Sequence, residues 1–138
     1  MRSAVLGLSL LLVLSAPAVG DDSQHAPEHK VTQSESYIMI EPMYATIMDN
    51  DRPAGMLLVA IGLDIPDPKL RATVMHALPV LRDAYLRNLM SFAWTHVRLN
   101  EQPDVLDIAD RMQRVTDRTL HQTGARVLLA QISESVRN

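Results

Sequence analysis

Apolar positions change their spacing several times along this chain, and each change marks an element. From Tyr37 to Asp49 the stretch YIMIEPMYATIMD is rich in β-branched, aromatic and methionine residues and reads as a strand. Pro42 interrupts it. Proline cannot donate to a strand ladder, so an edge position or a bulge is expected there. NDRPAG then supplies turn chemistry. In MLLVAIGLDI, Leu57, Val59, Ile61, Leu63 and Ile65 fall on one face, and the smaller, more polar set from Met56 to Asp64 falls on the other. The span from Tyr37 to Ile65 therefore predicts a β-hairpin. Asp67 before Pro68 is a helix start, with proline tolerated in the first turn. The helix runs to Pro79, where the missing N–H predicts a kink or a break. Beyond it Leu81, Tyr85, Leu89 and Phe92 form one stripe, widened by Leu86, Met90 and Ala93, and lone Trp94 at its end reads as core.

Asn100 to Asp104, NEQPD, ends that helix and opens another. There Val105, Ile108, Met112, Val115 and Leu120 line one side. Asp107–Arg111 and Asp110–Arg114 are acid-first pairs at the spacing that supports a helix, and Asp104 and Asp107 suit the dipole at its start. Gly124 is the expected helix end, and ARVLLAQIS, Ala125 to Ser133, returns as a last strand. The order β-β-α-α-β predicts an α+β domain, a small sheet with two to three helices packed on it, over residues 37–138.

The N-terminal 36 residues differ in character. Arg2, the apolar run from Ala4 to Leu14 and the small residues of SAPAVG have the charged–apolar–small layout of a secretory signal, assigned to 1–20. Ala16 and Ala18, or Ala18 and Gly20, fit the cleavage positions, so a mature chain starting at Val19 or Asp21 is expected in a periplasm. Uncleaved, the same segment would be an inner-membrane anchor. Residues 21–36 are polar and aperiodic, and read as a flexible linker.

Composition narrows the chemistry. With 47% hydrophobic residues the chain can build a packed core, and with a net charge of −3 and 4% aromatic residues it lacks the basic and stacking surfaces of nucleic-acid binding. The absence of cysteine excludes disulfides, thiolate metal sites and a cysteine nucleophile. No serine sits in a nucleophile-elbow pattern, and the five glycines are too scattered for a phosphate loop. His76, His96 and His121 are about a helix apart and read as solvated or structural. Asp104, Asp107 and Asp110 lack the glycine and closing glutamate of a calcium loop. His25 and His29 are four apart, but Pro27 lies between them. Met39, Met43 and Met48 do not share one strand face, and adaptable packing explains them. No catalytic residue, cofactor or metal site is therefore expected.

LPVLRDAYLRNLMS, Leu78 to Ser91, resembles the helix of the flagellar basal-body-associated FliL family, in which a proline precedes an apolar–Arg–Asp core and then leucines. YIMIEPMYATIMD and MLLVAIGLDIPD resemble that family's opening strands, DVLDIADRMQRVTDRTL its next helix, and ARVLLAQI its closing strand. The similarity covers Tyr37 to Ile132. It implies a stomatin-like, non-enzymatic scaffold domain that self-associates, partners flagellar stator or basal-body proteins, and lies at the inner membrane. Arg82, Asp83 and Arg87 are the candidate interaction residues. The signal-like start departs from the membrane span usual in that family. A soluble periplasmic ligand- or metal-binding protein using His25, His29 and the methionines is the alternative.

Overall fold

The computed structural model describes residues 34–136. The signal-like segment, most of the expected linker, His25 and His29 lie outside the described residues. Elements follow in the order β1 (Tyr37–Met39), β2 (Met43–Asp49), β3 (Arg52–Asp64), α1 (Pro68–His96), α2 (Val105–Leu120) and β4 (Arg126–Val136). The domain is α+β, as its patterning predicts.

The long strand β3 is the centre of one antiparallel sheet. It pairs with β4 along one side, and with β1 and β2, end to end, along the other. The expected hairpin is thus present, but its first arm is broken. Met39 faces Gly62 and Met43 faces Val59, so four steps on one strand match three on the other. Pro42 stands in this bulge, where no ladder N–H is required. The turn is tighter than NDRPAG suggests. Asn50 and Asp51 both have positive φ, 48° and 61°, as a two-residue hairpin turn demands, and Arg52 already belongs to β3.

Alternation along β3 decides the layering. Leu57, Val59, Ile61, Leu63 and Ile65 are fully buried against the helices. The opposite face carries Gly62, over which the Tyr37 ring lies so closely that a side chain there would collide with it. It also carries the exposed Met39, Tyr44 and Met56. Among the described residues the helices cover one face of the sheet only.

Asp67 caps α1 by accepting from the Lys69 N–H at 2.9 Å, and Pro68 follows in the first turn. The helix passes through Pro79 without ending. Pro79 and Met75, whose carbonyl loses its partner at that proline, are both exposed, so water can satisfy the freed group. Leu81, Tyr85, Leu89 and Phe92 are buried as the stripe predicts. Met90 and Trp94 are not: Trp94 is 65% exposed on the outer side of α1, which corrects its reading as core.

Asp104 caps α2 through the N–H groups of Leu106 and Asp107, both at 3.0 Å. Ile108, Met112, Val115 and Leu120 are buried, whereas Val105 and Leu106, in the first turn, are exposed. The helix ends at His121 in the left-handed conformation, with φ of 55°, and not at Gly124. Gly124, with φ of 114°, instead makes the turn into β4. The two helices are joined by a buried polar bond. The Thr116 hydroxyl donates to the Met112 carbonyl at 2.8 Å, so the Tyr85 hydroxyl donates to Thr116 Oγ1 at 2.7 Å. Burial pushes the Tyr85 pKa up to about 12.

The last residues of the expected linker are held by the fold. The Ile65 N–H donates to the Ser36 carbonyl at 2.8 Å, and the Ser36 hydroxyl donates to Asp64 at 2.7 Å. Arg126 at the start of β4 reaches the other oxygen of Asp64, also at 2.7 Å.

Candidate functional site

The Pro42 bulge and Pro79 face each other across the corner where β1 and β2 meet α1, and a groove of about 840 Å³ opens between them. Both prolines line it, Pro42 from the bulge between β1 and β2 and Pro79 from α1. Met39, Ile40, Met43, Leu78 and Leu86 give the groove an apolar lining. The bulge also separates the methionines. Met39 points to the open face of the sheet and Met43 into the core, although their numbering parity is the same.

The rim carries the charges. Arg82 Nη1 meets the Glu41 carboxylate at 2.5 Å, tying the bulge to α1, with both side chains about half exposed or more. Asp83 lines the same groove but pairs with Arg87 at 2.8 Å, the expected four-residue helix pair. Arg82 and Asp83 are therefore neighbours in sequence that engage different partners. Arg87 itself lines a separate depression of about 350 Å³ between α1 and α2, with Asn88 and Arg118. Of the candidate interaction residues, two line the groove, and the third reaches it only through its ion pair with Asp83. Glu41, the fourth member, was missed because no spacing rule links positions 41 apart; only the EP dipeptide at an interrupted strand hinted at an outward turn.

The remaining polar residues form structural groups elsewhere. His96 stacks on Phe92 with ring centroids 5.3 Å apart, and Arg111 lies over Phe92 at 5.0 Å. Arg111 can only donate, so His96 Nε2 accepts from it at 3.3 Å. Thr95 spends its proton on the Ser91 carbonyl, which makes His96 Nδ1 the donor to Thr95. Asp107 holds Arg111 at 3.0 Å, while Asp110 and Arg114 form no ion pair among the described residues. His76 and His121 stand apart and exposed. Among the described residues no three His, Asp or Glu side chains are placed to hold one metal ion.

The fold and groove define a two-layer α+β domain with an apolar, charge-rimmed surface cleft. No protein-family model matches the chain, and no curated protein matches it. Among the described residues no helix is long and apolar enough to cross a membrane.

Proposed function

We propose that the chain is a non-enzymatic, exported interaction module of the FliL kind, which binds a protein partner through the groove at Arg82. The proposed partners are further copies of itself and stator or basal-body proteins of the flagellar motor, at the periplasmic side of the inner membrane. The observation that supports this reading is the groove's place. The stretch that resembles the FliL helix forms one wall, and its Arg–Asp pair stands on the rim beside an apolar lining. An apolar floor with a charged rim is the usual anatomy of a protein-binding patch.

The test is charge reversal. Arg82→Glu and Asp83→Lys should fold like the parent, because exposed ion pairs contribute only about 0–1 kcal/mol. Cross-linked assembly should weaken, and the loss should shrink as salt screens the contact. In the cell, a deletion strain should lose swimming or stator occupancy. Parental assembly by both reversals would reduce the rim to a solvated face, and a deletion strain with unchanged swimming and stator occupancy would remove the motor role.

One observation favours a second reading, that of a small-ligand binder. The groove falls within the roughly 300–1,000 Å³ of small-molecule sites. Saturable stabilisation by an apolar ligand that also blocks assembly would favour it.

A further inference from the structure

The far edge of the sheet is unpaired in a selective way. Among the described residues strand β4 pairs with β3 on one side only. Its first residues are closed from the other side by Gln113 of α2. That amide oxygen accepts from the Val127 N–H at 2.8 Å, and the amide nitrogen donates to the Ala125 carbonyl at 2.9 Å. One side chain thus imitates a neighbouring strand. The alternation fixed by these two bonds, and the shift in register between Ala60 and Ile61, turn the backbone groups of Leu129, Ile132, Glu134 and Val136 outward. Among the described residues none of these edge groups receives a hydrogen bond.

Beside this open edge is a depression of about 300 Å³ between β4 and the connection from α1 to α2. Its charged lining residues are Glu101 and Glu134, both acidic, with Asn100, Gln102 and Ser133 completing the polar part. The Glu134 oxygen Oε1 is out of water and has no hydrogen-bond partner among the described residues. Burial accordingly pushes its pKa up. A carboxylate left in that condition costs stability, and a cationic donor would recover it.

We propose that the outer edge of β4, from Leu129 to Val136, is a strand-addition site for an extended peptide segment carrying a basic side chain, which the Glu101–Glu134 depression receives. The added strand runs antiparallel, like every other pairing in this sheet. Backbone bonds supply the docking, and the acidic depression selects the side chain. The site lies on the edge opposite the Arg82 groove and does not depend on it.

The probe is the capped, fluorophore-labelled peptide Thr-Val-Thr-Lys-Thr-Val-Thr, titrated against the full chain by anisotropy. In antiparallel register its valine–lysine–valine residues bond β4 and place the lysine beside Glu134. N-methylation of those residues should weaken binding at least about tenfold, and N-methylation of the threonines should not. Replacing the lysine with norleucine should weaken binding several-fold to the parent and leave binding to Glu134→Gln unchanged. Amide exchange at Ile132, Glu134 and Val136 should slow in the complex, and exchange at Leu129, beyond the reach of this peptide, should not. No saturable binding to the folded chain, or equal loss with either N-methylation pattern, overturns the strand addition. A lysine preference that survives in folded Glu134→Gln overturns the role of Glu134.

Discussion

Asp64 is the residue on which three parts of the chain converge. Its carboxylate accepts from Ser36, which fixes the start of the domain, and from Arg126, which fixes the start of β4. The Ser36 hydrogen bond holds its pKa below the ordinary aspartate range; burial opposes this, and Arg126 adds to it by a hydrogen bond and by its charge. A carboxylate with a depressed pKa stabilises the fold above its unfolded pKa, and the contribution is lost as pH falls through the folded value. The Arg126 side chain is 67% exposed, so its share is screened and small, and the part-buried Ser36 bond carries most of the effect. Asp64→Asn should therefore cost about 1–2 kcal/mol in urea unfolding at neutral pH. Its deficit should narrow below about pH 4, where the parent loses the same charge. A deficit independent of pH would mean that shape, and not charge, makes Asp64 matter.

Elements differ in how plainly their sequences announce them. The two faces of β3 were legible because one strict alternation runs through five residues from Leu57 to Ile65. The caps were legible too, since Asp67–Pro68 and Pro103–Asp104 combine a proline with an accepting side chain. The groove was legible only in part. Arg82, Asp83 and Arg87 stood out on their own helix, but Glu41 reaches Arg82 through a bulge whose extra residue cannot be placed from composition. Where a bulge intervenes, parity stops predicting the face, and Met39 and Met43 show it. Met90 and Trp94 misled because helical spacing records which residues align and not which side meets the sheet. Within α1 the distinction has a measurable consequence. Leu89 is fully buried beneath the sheet and Met90, its neighbour, faces out. Leu89→Ala should cost about 2–5 kcal/mol, as a core truncation does, whereas Met90→Ala should stay within about 0.5 kcal/mol. Equal costs for the two in urea unfolding would show that α1 is rotated from this arrangement.

At the scale of the whole molecule, one continuous core draws on β2, β3, α1 and α2, and includes Ile40 from the bulge and Ala125 ahead of β4. A domain of this size with a single core should unfold in one cooperative transition. Its only tryptophan stands outside that core, on the outer side of α1, where Val80 and Met90 are also exposed. Trp94 thus reports the surroundings of α1 more than the integrity of the fold. Circular dichroism in urea should give one sigmoid, while the emission of a dilute sample should start near that of a solvated indole and move little across it. Concentration should then separate folding from assembly. If copies cover the outer side of α1, emission shifts to the blue as the sample is concentrated and returns on dilution, with the dichroism unchanged. A blue emission that persists at every dilution would place Trp94 inside the monomer and overturn the exposed outer face of α1.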